Sequence, residues 1–286
     1  RIAKLGLRML PGVDFELTNI GDDPRFDDYW RQYHALTERR GVTPSAARNL
    51  LRSRPTIIAA LMVERGEADG MITGIVGRFH KKLGYLRSVF DFEQGITGTA
   101  AMTGVINDDG VWFFVDTHVQ QDPSAEQIAE ATLQASYRLK LFGIEPKVAL
   151  LSHSNFGSHQ DASALKMRRA YEIIRQRQPK LEVDGEMMAD TAWDEALRQR
   201  IFPNTRLKGR ANLLVMPNLD AANIGYNLIR VATGGVAIGP ILMGLDQPAH
   251  ILTPASSSRR VVNMTAIVAV EAQIRAGMGN ARAGGA

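Results

Sequence analysis

A long amphipathic helix followed directly by a short buried strand is the feature that most constrains the fold of this chain. Residues 122–143 read DPSAEQIAEATLQASYRLKLFG, with Asp-Pro at a typical helix start and Gly143 at a typical helix end. Apolar or small side chains recur along one face of this helix every three or four residues. The run GVWFFVD precedes it at 110–116, and KVALLS follows at 147–152. This strand–helix–strand order predicts α/β layering.

Composition excludes several classes of protein. The chain has 286 residues, of which 45% are hydrophobic and 22% charged, as in an ordinary soluble globular protein. No apolar run is long enough to span a bilayer, and no leader is visible, so we expect a cytoplasmic location and no membrane partner. The absence of cysteine excludes disulfides, thiolate metal sites and a cysteine nucleophile. Its 34 basic and 30 acidic residues are interleaved, which argues against nucleic-acid binding and suits a small anionic ligand.

Three polar loops follow predicted strands, the place where open α/β sheets bind ligands. They are SHSNFGSH at 152–159, MPNLDAANIGYN at 216–227 and the segment 239–260 that ends in TPASSSRR. Small residues in such loops let backbone N–H groups approach an anion. The first loop is equally compatible with an ordinary capped turn, and the asparagines of the second with helix N-caps.

The spacing of the histidines and acids gives little support for a metal site or a catalytic pair of acids. His153 and His159 lie six residues apart, which does not match common metal-ligand patterns, so we predict no metal site. The acids of DGEMMADTAWDEA at 184–196 fit helix starts and a solvated helix face. No Ser/His/Asp set can be chosen from spacing alone.

Six stretches of the chain carry a family resemblance. GEADGMITG, DPSAEQIAEATLQAS, FGIEPKVALLSHSNFGS, LEVDGEMMADTA, LKGRANLLVMPNLDAANIGYNLI and IGPILMGLDQP resemble, in this order, the phosphotransacetylase family of phosphate acetyl- and butyryltransferases. They cover most of the chain from about Asp23 onward. One branch in particular, the C-terminal domain of bacterial multidomain NADP-dependent malic enzymes, is resembled by LSHSNFGS, RIFPNTRLKG, VMPNLDAANIGYN, and HILTPA with RRVVNMTA.

The resemblance implies an α/β fold with two lobes and three α/β/α layers, of the isocitrate/isopropylmalate dehydrogenase-like type, with acyl-CoA in the cleft. Lobe one would comprise residues 1–142 plus 252–286, and lobe two residues 143–251, with the dimer contact on lobe two. Members of the family begin with a further βαβ unit before the position of Arg1. We therefore expect this chain to be a fragment of a longer protein.

Departures from the family pattern bear on catalysis. Active transferases carry a Ser-Arg pair after the GP…G…P segment and, further on, an acid proposed to deprotonate the CoA thiol. Without gaps these positions hold Thr253, Pro254 and Arg260, and a further family arginine falls on Gly84, with Arg87 nearby. Proline cannot hold a phosphate as an arginine does, and a permanently protonated arginine cannot be the base. We expect a pseudo-enzyme with these four degenerate catalytic positions and no catalytic residue.

The branch resemblance implies a regulatory role. The domain would bind acetyl-CoA as an allosteric inhibitor of an upstream malic enzyme domain in the same chain, which converts malate to pyruvate with NADP and Mg or Mn. No cofactor is expected in this domain itself. The residues expected to meet acetyl-CoA are Ser152, Ser154, Asn155, Gly157, Ser158, Asn218, Asn223, Tyr226, Gly239, Pro240, Thr253, Ser256 and Arg260.

Two other functions remain open. One is an active phosphate acetyltransferase, with Arg87, Arg259 or Arg260 supplying a new phosphate clamp. The other is a purely structural oligomerisation domain with a vestigial cleft. In each case we expect a homodimer or a higher homo-oligomer, because the apolar helices offer surface for it.

Overall fold

A computed structural model describes residues 2–283 of the chain, and helices alternate with strands along it. The helices are α1 (Phe26–Thr37), α2 (Pro44–Ser53), α3 (Pro55–Glu64), α4 (Phe79–Leu86), α5 (Ala125–Leu141), α6 (Ala162–Arg177), α7 (Ala189–Trp193), α8 (Glu195–Ile201), α9 (Leu219–Ala232) and α10 (Ser258–Ala283). The strands are β1 (Met71–Thr73), β2 (Ala100–Asn107), β3 (Gly110–Val115), β4 (Lys147–Leu151), β5 (Glu182–Met187), β6 (Leu213–Val215), β7 (Val236–Met243) and β8 (Ala249–Ile251). The predicted α/β class is confirmed.

A six-stranded sheet in the order β5-β4-β6-β3-β2-β7 forms the centre of the molecule. Strands β3, β6, β4 and β5 are parallel, while β2 runs antiparallel to both of its neighbours, β3 and β7. Five strands therefore point the same way, and their carboxyl ends meet at one edge. This is the edge at which open α/β sheets place their ligands.

Helices cover both faces of this sheet. On one face, buried side chains of α5, α6 and α10, among them Leu139, Met167 and Met264, pack against the strands. On the other face, α7 and α9 contribute Ala192 and Tyr226 to a second core. The predicted three-layer α/β/α arrangement is confirmed. None of the described helices combines the length and the apolar character needed to cross a bilayer.

A third core joins the N-terminal helices to a late segment of the chain. Residues of α1 to α4 pack around Leu242, Leu245 and the two-stranded parallel sheet of β1 and β8. The main sheet contains strands from both sides of the predicted lobe boundary at residue 142, because β3 pairs with β6. Strand β8, assigned by the sequence to lobe two, pairs instead with β1. Arg1 and residues 284–286, the predicted ends of lobe one, lie outside the described residues.

The start of α5 corrects the prediction that Asp122 caps this helix. The N-cap is Ser124, whose hydroxyl accepts the backbone N–H of Gln127 at 3.3 Å. The side chain of Gln127 in turn accepts the N–H of Ser124 at 2.8 Å. This reciprocal pair satisfies two N–H groups that the first helical turn leaves free, so the helix begins two residues later than Asp-Pro suggests.

We expect Leu150→Ala to lower the free energy of unfolding by about 2–5 kcal/mol, because truncating a core side chain loses burial and leaves a cavity. Leu150 lies on β4 and is fully buried within the central sheet. The control is Leu165→Ala on α6, where the side chain is 43% exposed, with an expected change within about 0.5 kcal/mol. Urea unfolding of both variants measures the difference, and equal losses would contradict the assigned core.

Candidate functional site

A cavity of about 210 Å³ lies near the carboxyl end of β3. Strands β2 and β7, the turn after β3, one face of α9 and the segment from residue 253 to the first turn of α10 surround it. Its lining residues are Thr103, His118, Asn223, Tyr226, Asn227, Arg230, Pro240, Thr253, Ala255 and Arg260. The cavity thus brings together elements that are distant in the sequence.

Helix α9 supplies one wall of the cavity through a polar face. Asn223, Tyr226, Asn227 and Arg230 are three or four residues apart, so they lie on the same side of the helix. The side-chain amide of Asn223 donates to the carbonyl of Thr117 at 3.3 Å, and that of Asn227 donates to the carbonyl of Asn223 at 3.0 Å. The first of these bonds fixes the wall against the turn that follows β3, and the second lies within the helix.

Two arginines give the cavity a positive charge. Arg260 donates from Nη2 to the hydroxyl of Tyr226 at 2.9 Å, which joins α10 to α9. The Nε atom of Arg230 is buried and has no hydrogen-bond partner among the described residues. No carboxylate belongs to the described lining. Two permanent cations without a neighbouring acid favour an anionic ligand.

His118 stands beside these cations as a neutral ring. Burial is the main cause that lowers its pKa to about 4, and the positive charge of Arg260 acts in the same direction, as does His80. Its Nδ1 lies 2.8 Å from the hydroxyl of Thr117, which lies 2.7 Å from that of Thr103. At neutral pH the ring therefore adds hydrogen-bonding capacity and no charge.

Asp116 shapes the turn after β3 without lining the cavity. Its carboxylate accepts backbone N–H groups from Ala101, His118, Val119 and Gln120 at 3.0–3.1 Å. Burial raises its pKa to about 6, and these four N–H groups oppose the rise. The carboxylate is thus fully engaged in holding His118 and its neighbours in place.

The loop after β4 is closed around a buried glutamate. Ser154 is fully buried and donates its hydroxyl to Glu186 at 2.8 Å, and the N–H of Gly157 donates to the same oxygen at 2.8 Å. Arg168 of α6 pairs with this carboxylate at 3.0 Å. Burial by itself would raise the pKa of Glu186, but Arg168, Ser154 and Gly157 outweigh it and the pKa is lowered.

These contacts correct two sequence interpretations. The hydroxyl of Ser154 bonds inside the protein and has no exposed surface to offer a ligand. The acids of 184–196 do not all form a solvated face, since Glu186 and Asp184 of β5 are buried. Asp184 accepts the hydroxyl of Thr205 and the N–H of Arg206 instead.

Five of the predicted ligand residues line the cavity, namely Asn223, Tyr226, Pro240, Thr253 and Arg260. Among the others, Asn218 caps α9 by accepting the N–H of Ala221, and Ser256 accepts that of Thr253. Gly239 has φ of +109°, and a Cβ there would lie 2.9 Å from the carbonyl of Met102, so its role is a close backbone approach. The predicted residues Ser152, Asn155, Gly157 and Ser158 lie in the loop around Glu186 and are not in the cavity lining.

Of the four degenerate catalytic positions, two line the cavity and two do not. Thr253 and Arg260 reach the cavity, whereas Pro254 is exposed and not part of its lining. Gly84 is exposed on α4, and a side chain there would meet open space. Nearby, Arg87 donates to the hydroxyl of Thr99.

Half of the lining is absent from the predicted ligand residues, although Asn227 and Ala255 lie within the candidate loops 216–227 and 239–260. The missed residues are Thr103, His118, Asn227, Arg230 and Ala255. Two sequence patterns could have identified three of these residues. His118 follows a predicted strand, as the ligand loops do, and Asn227 and Arg230 share the helical face of Asn223.

Comparison with known proteins identifies relatives over nearly the whole chain. A family model described as phosphate acetyl/butaryl transferase matches residues 1–269. The NADP-dependent malic enzyme of Escherichia coli (strain K12) is 51% identical over 274 residues, which are 96% of this chain and 36% of that protein. The NAD-dependent malic enzyme of Rhizobium meliloti (strain 1021) is 48% identical over 271 residues, 95% of this chain and 35% of that protein.

A solved structure extends the similarity to the fold. The phosphotransacetylase from Streptococcus pyogenes superimposes with a TM-score of 0.85 at 29% identity, and the match covers 95% of this chain and 82% of that one. The chain therefore matches most of a phosphotransacetylase but little more than a third of the malic enzymes.

The lowered pKa of His118 predicts how stability depends on pH. Between about pH 4 and 6.5, His118 binds more protons in the unfolded chain than in the folded chain. The stability that neutral His118 contributes to the folded chain is therefore lost as pH falls. We expect the wild-type free energy of unfolding, minus that of His118→Gln, to decrease from pH 6.5 to pH 4. Subtraction removes the opposite contribution of Asp116, which both proteins share. Urea unfolding at several pH values measures the difference, and a value independent of pH would contradict the assignment.

Proposed function

The chain belongs to the phosphate acetyl/butaryl transferase family, and from this premise we propose that it is a regulatory domain that binds acetyl-CoA without turning it over. The observation that carries the proposal is the position of Arg260 in the cavity. This arginine lines the cavity at the position where, by resemblance, active relatives hold the acid that deprotonates the CoA thiol. An arginine stays protonated at every physiological pH and cannot accept that proton.

No other described group of the cavity replaces the missing base well. The described lining residues include no carboxylate, and Asp116 beside them already accepts four backbone N–H groups. His118 is neutral, but a pKa of about 4 makes it a weak acceptor, since an efficient base has a pKa near the working pH. These features support binding in preference to catalysis.

The size and charge of the cavity support an anionic ligand that enters it only in part. Its volume of about 210 Å³ is below the 300–1,000 Å³ typical of sites that enclose a drug-sized ligand. Acetyl-CoA would therefore extend beyond the cavity across the neighbouring surface. Arg230 and Arg260 suit the negative charges that such a ligand carries.

Similarity to malic enzymes supports a larger parent protein. The chain spans 36% and 35% of the two malic enzymes compared above, one named NADP-dependent and the other NAD-dependent. We place this domain beside an upstream malic enzyme domain, which would oxidise and decarboxylate malate to pyruvate with NADP and Mg or Mn. Acetyl-CoA would act there as an allosteric inhibitor, which requires only that it favour one arrangement of the protein by a few kcal/mol.

A specific surface supports oligomerisation as a second role. Ile224, Leu228 and Val231 of α9 are 58%, 65% and 68% exposed and share one face of the helix. A stripe of large apolar side chains on the outer side of a helix is typical of a contact with another protein surface. We assign this stripe to the contact between two copies of the chain.

We expect the chain to bind acetyl-CoA in calorimetry and to release almost no CoA thiol from acetyl-CoA and inorganic phosphate. Loss of the base and of the phosphate clamp, each contributing on the order of a hundredfold, should leave the rate about 10⁴-fold or more below that of an active phosphate acetyltransferase. The active enzyme, assayed in parallel, is the control. Absence of binding at millimolar acetyl-CoA would refute the sensor, and turnover comparable with the active enzyme would establish a transferase.

Leu228→Glu should shift the chain from dimer to monomer in sedimentation velocity, because a carboxylate would have to be buried in the apolar contact. Leu165→Glu places the same charge on the exposed face of α6 and should leave the dimer intact. Identical sedimentation of both variants and the wild type would exclude the α9 stripe as the contact.

A further inference from the structure

A second cavity, called the apolar cavity below, lies at the amino end of β3, where the turn at residues 107–110 joins β2 to β3. Its volume is about 480 Å³, and among the described residues it shares no lining residue with the cavity that contains Arg260. We propose that it binds primary amines with an apolar body, with the body inside and the ammonium group at Asp108. This inference goes beyond the proposed function and does not depend on it.

The floor of the apolar cavity is a layer of side chains on one face of the main sheet. Ile106 of β2 pairs with Val111 of β3. Gly104 of β2 pairs with Phe113 of β3 and with Ile238 of β7. Residues opposite each other in a sheet, and residues two apart along a strand, project to the same face. Gly104 has no side chain to add, and the ring of Phe113 lies over it, since a Cβ there would be 2.9 Å from that ring.

The helices on this face leave part of the layer uncovered. Helix α5 ends at Leu141, and Phe142 and Ile144 of the following turn form one wall of the apolar cavity. Ile267 of α10 forms another wall. These three side chains pack against the main core but are only partly buried, and Ile106 is 39% exposed. Large apolar side chains that stay partly exposed around one cavity are typical of a ligand site.

The size of the apolar cavity suits a small molecule. Its volume of about 480 Å³ lies within the 300–1,000 Å³ typical of sites that enclose one. Isoleucine, valine and phenylalanine side chains make up most of the lining, so the enclosed part of the ligand must be apolar. Each methylene group buried there should raise the affinity about fourfold.

Charge at the rim of the apolar cavity determines which head group the ligand carries. Asp108 is the one charged residue of the described lining, and it is exposed. Asp109 adds a second negative charge to the same turn, whose shape is held by its N–H donating to Asn107 Oδ1 at 2.9 Å. No Lys, Arg or His belongs to the described lining. The rim would therefore repel the carboxylate of a fatty acid and attract an ammonium group.

The test is calorimetric titration of the whole chain with octylamine, octanol and octanoate, which share one apolar body, each below its micelle concentration. We expect octylamine to bind saturably and hexylamine to bind about fifteenfold more weakly, as the loss of two buried methylene groups implies. Asp108→Asn should weaken octylamine about threefold, leave octanol unchanged and tighten octanoate. Asp109→Asn is the matched control. It removes an exposed charge outside the described lining and should change the three affinities far less.

A second pair of variants tests the body of the ligand. Val111→Trp fills the apolar cavity and should weaken octylamine about tenfold or more, because the space for several methylene groups is lost. Val262→Trp makes the same substitution at a valine that is 67% exposed and outside the described lining, and it should leave the affinity unchanged. Urea unfolding of both variants establishes that each is folded.

An NMR titration of isoleucine methyl groups needs no variant. Octylamine should shift the signals of Ile241 and Ile267, which line the apolar cavity, and leave that of Ile57 in the N-terminal core unchanged. The inference is overturned if the first two signals do not move, if Asp108→Asn affects the three probes alike, or if Val111→Trp and Val262→Trp bind octylamine equally. A change of sedimentation coefficient in Val111→Trp alone would assign the apolar cavity to a contact between copies of the chain and would also overturn it.

Discussion

The pairing of β3 with β6 on one side and β2 on the other is the constraint on which the rest of the structure depends. It joins the two ends of the main sheet and directs the carboxyl end of β3 toward α9. Asp116 fixes the turn that follows by accepting four backbone N–H groups. Only with this turn in place do His118, Thr103 on β2 and Pro240 on β7 border the same cavity.

Electrostatics then determines what such a cavity can do. A general base must accept a proton near the working pH, and His118 is the only one of the described lining residues with a group of that kind. Burial, with a further contribution from the positive charge of Arg260, lowers the pKa of that histidine to about 4. Arg260, which by resemblance stands where active relatives hold an acid, thus adds to the effect of burial on the remaining base. The proposal of binding without turnover depends on this double effect more than on the loss of any one side chain.

The sequence predicted the parts of the fold that local chemistry determines. Amphipathic periodicity located α5, and continuous apolar runs located β3 and β4, because each pattern follows from the side that an element buries. It could not predict that Glu186 would be buried, since that depends on Arg168 from another helix closing over it. Nor could it place Arg230 in the cavity, because an arginine near a helix end is equally compatible with a solvated surface. Nor could it predict that β3 pairs with β6, because these two strands are far apart in the sequence.

Helix α9 is the element that would connect the two proposed roles. Its inner face, with Asn223 and Arg230, borders the cavity, while its outer face carries the apolar stripe around Leu228. A helix of 14 residues transmits a small rotation along its whole length, because its backbone hydrogen bonds do not yield independently. A ligand that displaces the inner face of α9 would therefore displace its outer face as well. Since closely packed interfaces respond to such shifts by changing between discrete arrangements, the same helix can report the occupancy of the cavity to a neighbouring subunit.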